Sequence, residues 1–237
     1  MHLSRFRNRI DFFLRNVSAP PRLSKQPTVL VVGCGGGEEA LCIQRMCLGA
    51  NVVGIDIKLP AKETCIDNIH FALANALNLP FRDDSVDFCY CYHVLEHVPD
   101  HSTCVAEMAR VLKTDGELYL STPNSKRLLL YVLSAQKEAL STIVRRNLRE
   151  WIARLTGRFS NERGYHNGFA YADLFSVLAT NFKEVRFVTD EYTLRMATGS
   201  IYLPFAKFLS WIHALKTVAP SHTVYCKRSR GTQARGR

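Results

Sequence analysis

The sequence predicts an α/β fold built on a mainly parallel sheet, and three observations predict it. Short β-branched apolar runs alternate with stretches of helical periodicity through the first half of the chain. These runs are apolar throughout, as strands covered on both faces are. Directly after the first run come Gly33, Gly35, Gly36 and Gly37, where such a sheet turns from strand into helix.

Thr28–Val32 reads as the first strand, residues 38–49 as a helix ended by Gly49, and residues 52–56 as the second strand. Val86–Tyr92 is the next strand and residues 101–112 a helix, after which Asp115 and Gly116 turn the chain into a strand at 117–122. Farther on, residues 172–179 read as a helix, 184–189 as a strand and Ser221–Lys227 as the last strand. A length of 237 residues, 47% of them apolar, suits one domain with a sizeable core.

The net charge of +10 is unevenly placed. Residues 1–25 hold six basic residues against one acid, and residues 226–237 hold five against none, so both ends read as basic segments. Residues 126–163 carry nine basic and three acidic residues, which points to an anionic partner or surface if the run is more than a solvated face. The eight cysteines form no CxxC pair, and the arginine-rich start has no signal-peptide apolar core, so a reducing cytoplasmic setting is expected. No stretch has the roughly 18 uninterrupted apolar residues of a membrane span.

A glycine-rich turn between strand and helix lets a ligand approach the backbone while the first N–H groups of the helix face it. Dinucleotide-binding turns share that feature, but their third glycine would fall at position 38, where Glu38 stands with Glu39 beside it. Carboxylates there repel a pyrophosphate, so a ligand without phosphate fits better. Asp56 ends the second strand, where a carboxylate can accept from two ribose hydroxyls.

The stretches "VVGCGGG", "GIDI", "ANALNLPFRDDSVDFCYCYHVLEHVPD" and "RVLKTDGELYLSTPN", in this order and spacing, resemble the class I S-adenosylmethionine-dependent methyltransferases of the small-molecule, ubiquinone-biosynthesis-like type. The resemblance spans about residues 29–124. It implies a three-layer Rossmann-like methyltransferase fold, with a seven-stranded, mainly parallel sheet and an antiparallel last strand. The domain would run over 26–228, with helical insertions at about 125–159 and 193–219, between basic segments at 1–25 and 229–237.

The same resemblance implies the cofactor, S-adenosyl-L-methionine, and its contacts. Gly33, Cys34, Gly35 and Gly37 would hold its amino-acid end, Asp56 and Ile57 its ribose, and Asn75, Ala76 and Leu77 its adenine, with Tyr92 at the end of the fourth strand as a further contact. Two positions depart from the family pattern. Val31 stands where an acid helps to orient the methionine end, and Asn75 stands where an aspartate accepts from the adenine amino group. The asparagine oxygen can still accept, so the second loss is partial.

A sulfonium donor carries its own leaving group, so the protein must align the acceptor, exclude water and take a proton where the acceptor is a hydroxyl. His93, directly after the fourth strand, is the candidate base, and His166 in "GYHNGF" is a second candidate in the acceptor pocket. His93, Glu96 and His97 spell a zinc-protease pattern, but it needs a continuous helix, which Pro99 and the preceding strand argue against, and no metal is expected.

The Asn/Asp-Pro-Pro-aromatic motif of nucleic-acid amino-methylating enzymes is missing after the fourth strand, which disfavours nucleic acid despite the basic charge. The acceptor is expected to be small or lipid-linked, a quinone-type ring or a carrier-bound sugar. Leu133, Leu140, Val144, Leu148, Trp151 and Leu155 share one helical face opposite Arg145, Arg146 and Arg149, and Phe205, Phe208, Ile212 and Leu215 form a second stripe. These stripes fit core or lid packing, or an anionic membrane surface on whose inner face the protein would sit. Two other functions stay open: a cofactor-binding protein without catalysis, favoured by Val31 and Asn75, and a nicotinamide-dependent oxidoreductase, disfavoured by Glu38.

Overall fold

The structure is a computed structural model that describes residues 4–17, 26–58, 69–127, 140–157, 168–198 and 203–228. Its strands are β1 (Thr28–Val32), β2 (Asn51–Asp56), β3 (Ile69–Leu73), β4 (Val86–Tyr92), β5 (Leu112–Pro123), β6 (Glu184–Phe187) and β7 (Ser221–Lys227). They form one seven-stranded sheet in the order β3-β2-β1-β4-β5-β7-β6. β1 pairs in parallel with β2 and β4, and β7 lies antiparallel between β5 and β6. The expected mainly parallel sheet with its antiparallel last strand is therefore present.

The helices are α1 (Ser4–Asn16), α2 (Glu38–Met46), α3 (His101–Val111), α4 (Leu140–Thr156), α5 (Tyr171–Ala179), α6 (Thr189–Ala197), α7 (Leu203–Trp211) and α8 (Leu215–Val218). The apolar character of β1 has a direct cause, since its alternate side chains enter two separate cores. Leu30 and Val32 pack with Cys89 and Cys91 of β4 and with Val105 and Met108 of α3. Val29 and Val31 pack on the opposite face with Tyr90, with Ile43 of α2 and with Phe13 of α1. Val31 is thus a core residue.

Four elements differ from the sequence expectation. The N-terminal segment read as a charged flank contains α1, whose Ile10 and Phe13 are fully buried. Its basic residues hid an apolar face, and the Tyr225 hydroxyl donates to the Phe13 carbonyl at 2.9 Å, tying the helix to β7. β5 begins at Leu112 and carries an irregularity up to Glu117, with Asp115 at φ 65. The third strand, expected without a place in the sequence, is β3, and α6 begins at Thr189, where the strand read over 184–189 was expected to end and ahead of the helical insertion expected at about 193–219. In the second apolar stripe, Leu215 packs into a small core with Ala197 and Ala206, while Phe205, Phe208 and Ile212 are exposed.

No helix among the described residues is long and apolar enough to cross a membrane. Seven described cysteines are buried.

Candidate active site

Strand order reverses between β1 and β4, and a ligand crevice is expected beyond the carboxyl ends of the strands at such a point. A cleft of about 400 Å³ lies there, within the usual range for small-molecule sites. Gly33, Asp56 and Ile57 line it, together with Asn75, Ala76, Leu77 and His93. Sequence positions 33 to 93 thus converge because β1, β2 and β4 end at one level and the residues after β3 reach the same edge, where the Ala74 N–H donates to the Asp56 carbonyl at 3.0 Å.

The glycines answer to backbone geometry. Gly33 has φ 68, and a Cβ there would lie 2.2 Å from Cγ2 of Val94, so the turn and the loop after β4 touch only because that atom is missing. Gly35 has φ 52, and its N–H donates to Oδ2 of Asp56 at 2.8 Å. The other Asp56 oxygen accepts from the Lys58 N–H at 3.1 Å. These bonds fix the carboxylate at the rim while each oxygen keeps a lone pair for a ligand hydroxyl.

Cys34, Gly35, Gly37 and Tyr92 are not in the lining of this cleft. Cys34 is buried, and burial with the neighbouring Asp56 charge pushes its thiol up to about 11, so it stays protonated. Gly37 caps α2 at φ 83 and donates its N–H to the Cys34 carbonyl at 2.8 Å. Tyr92 turns into the opposite layer, where the Arg9 guanidinium of α1 lies 3.7 Å above its ring. His166 lies outside the described residues.

Of the two carboxylates expected at the start of α2, only Glu38 stays at the turn. A Cβ on Gly36 would lie 2.6 Å from Oε2 of Glu38. Glu39 instead pairs with Arg9 at 2.8 Å. The turn therefore presents negative charge, which suits the sulfonium and ammonium of S-adenosylmethionine and opposes a pyrophosphate. The Asn75 oxygen accepts from the Leu77 N–H at 2.9 Å and has one lone pair left for an adenine amino group. The residues present fit the cofactor that the resemblance implies.

His93 has φ 55, a backbone conformation uncommon outside glycine, though histidine adopts it more readily than most side chains do. Its N–H donates to the Ser121 carbonyl at 2.8 Å, so the chain leaves the sheet abruptly and the side chain enters the cleft. After it comes a single 3-10 turn, Leu95–His97, where the zinc pattern would need a continuous helix. Val94, His97, Val98 and Pro99 also line the cleft. Sequence reasoning singled out His97 as part of the zinc pattern but not Val94, Val98 and Pro99, because apolar loop residues carry no signal of which way they face.

Residues 30–120 match the family described as "Methyltransferase domain". The "Ubiquinone biosynthesis O-methyltransferase" of Hahella chejuensis is 31% identical over 156 residues, which cover 60% of each chain. The "Methyltransferase GfsG" of Streptomyces halstedii is 33% identical over 124 residues, or 48% of this chain and 44% of the relative. The chain spans about half the length of the curated relatives it matches, from 44% to 60% for these two.

A geranyl diphosphate methyltransferase in complex with SAM shares the fold at a TM-score of 0.57 and 18% identity, over 94% of this chain and 84% of that one. A [4+2]-cyclase, SpnF, does so at 0.56 and 14% identity, over 94% and 81%. A fold shared with a cyclase does not name a reaction. The sequence match over residues 30–120, the cofactor half of the sheet, is to methyltransferases, and the fold around it is the Rossmann-like one that the solved S-adenosylmethionine-binding methyltransferase shares.

Proposed function

We propose that the protein transfers a methyl group from S-adenosylmethionine to a hydroxyl of a small or lipid-linked acceptor, a quinone-type ring or a carrier-bound sugar. The observation that carries this reading is that Asp56 and His93 line one cleft, the first suited to a ribose and the second to a reacting hydroxyl. The cofactor supplies an activated methyl group with a neutral leaving group. Asp56 would hold the ribose hydroxyls, the Gly33 turn would admit the amino-acid end, and Val94, Val98 and Pro99 would keep water from the acceptor. His93 would take the acceptor proton, the general-base role to which an imidazole is suited.

The hydroxyl as acceptor is supported by this histidine and by the O-methyltransferases among the relatives, whose printed activity belongs to them. A lipid-linked acceptor is supported by the exposed Leu148, Trp151 and Leu155 of α4, with Arg145 and Arg149 exposed on the same helix. Such a face suits an anionic membrane surface, and on this reading the protein would rest on the inner leaflet.

Calorimetric titration tests the cofactor assignment. S-adenosylhomocysteine should bind and NADH should not, and the reverse ranking would remove the reading. Asp56→Ala should weaken binding by about 1–3 kcal/mol, because buried ligand hydroxyls lose a charged partner. His93→Ala should leave that affinity unchanged, which separates the acceptor side of the cleft from the cofactor side.

A further inference from the structure

Beside the candidate base lies a buried carboxylate oxygen with no donor. Glu96 sits in the 3-10 turn after β4, and its side chain is 1% exposed. Oε2 accepts from the Thr122 hydroxyl of β5 at 3.0 Å. Oε1 is buried without a hydrogen-bond partner among the described residues and lies 3.6 Å from Nδ1 of His93. That separation is too long for a hydrogen bond and lies within ion-pair reach, longer than the 2.8 Å of the Arg9–Glu39 pair. Across the ring, Nε2 lies 3.2 Å from the Ser221 hydroxyl of β7, and the Tyr92 ring stacks on its face with centroids 4.4 Å apart.

A carboxylate oxygen buried without a donor is costly where packing alone is needed. It is accounted for if the neighbouring group becomes a cation. We propose that Glu96 is the positioning residue of His93 and the counter-charge that meets its imidazolium when that forms. The proposal rests on His93 as the base of the methyl transfer. Facing the carboxylate, the neutral ring keeps its proton on Nδ1 and offers the lone pair of Nε2, to which Ser221 donates until the acceptor hydroxyl replaces it.

The step balances. The acceptor oxygen forms its bond to the methyl carbon and releases its proton to Nε2, while the electron pair of the old carbon–sulfur bond stays on sulfur. The imidazolium then faces Glu96 at ion-pair distance, and the proton later passes to water. The groups around the pair come from every neighbouring element: Cys91 and Tyr92 of β4, His97 of the turn itself, Thr122 of β5, Arg127 beyond it and Ser221 of β7. Burial favours the neutral Glu96 carboxyl, and Arg127, buried and donating to the Asn124 carbonyl at 2.8 Å, pulls the other way. The Cys91 thiol, pushed up chiefly by its burial and by the Cys104 and Cys89 thiols, with Glu96 a lesser contributor, stays neutral.

Histidine-selective carbon-13 NMR of the whole chain tests this, with the His93 signal identified by its loss in His93→Ala. In Glu96→Gln the proton affinity of His93 should fall about tenfold or more, a midpoint lower by about one pH unit. Affinity for S-adenosylhomocysteine should be unchanged in the same variant. Glu96→Asp keeps the charge one methylene farther back and should fall between; it also serves if the glutamine variant fails to fold. An unchanged His93 midpoint in the folded variants overturns the proposal and leaves the cofactor assignment standing, since that assignment falls only to the calorimetric ranking.

Discussion

Burial raises the Glu96 carboxyl to about 7 from an ordinary 4.5, against the pull of its own backbone N–H, Thr122 and Arg127. Between those values the folded protein binds the proton more tightly than the unfolded chain does, so stability falls as pH rises through that window. Glutamine has no such charge to bury. In urea unfolding, Glu96→Gln should therefore gain on the wild type by about 1–3 kcal/mol between about pH 5 and pH 8. A difference flat across that range would mean that the carboxylate titrates alike in both states. His222 runs the other way: burial lowers it to about 4, so it costs stability as pH falls below 6.5.

At the scale of the element, α4 is amphipathic but does not bury its apolar stripe. Ala153 is buried, while Val144, Leu148, Trp151 and Leu155 are 48% to 88% exposed. Leu133, expected on the same stripe, lies outside the described residues. Core packing is therefore not what these side chains do within the described chain. If they meet lipid, Leu148→Ser with Trp151→Ser should change folding stability by no more than about 0.5 kcal/mol, as surface changes do. The same pair should lower recovery of the protein with anionic vesicles severalfold. Added salt should weaken the wild-type recovery too, because exposed charges act over a Debye length of about 8–10 Å. Equal recovery with neutral and anionic vesicles, or none with either, would rule out the anionic surface.

At the scale of the molecule, the sheet needs a full layer on each face, and α1 completes one of them. Phe13 is fully buried against Tyr90 and Tyr119, with ring centroids 5.2 and 5.5 Å away. Phe13→Ala should lower the unfolding free energy by about 3–5 kcal/mol with an unchanged denaturant slope, read by urea titration. A loss below about 1 kcal/mol would mean that α1 only rests on the domain.

The sequence by itself determined what local pattern can carry. The continuous apolar run of β1 implied a strand covered on both faces, the glycines implied a turn open to a ligand, and Asp56 at a strand end implied a ribose partner. Each depends on residues close together in the chain. Tertiary structure alone decided the rest. The arginines of α1 masked its apolar face, so only packing revealed it as core. Asp56, Asn75 and His93 meet because the strand order reverses between β1 and β4, and Gly33 is required by Val94, 61 positions later. Glu96 and Ser221 lie 125 residues apart, and each faces a different ring nitrogen of His93. Contacts at such separations depend on strand order and on the depth at which each strand ends, and residue type and spacing do not encode these locally.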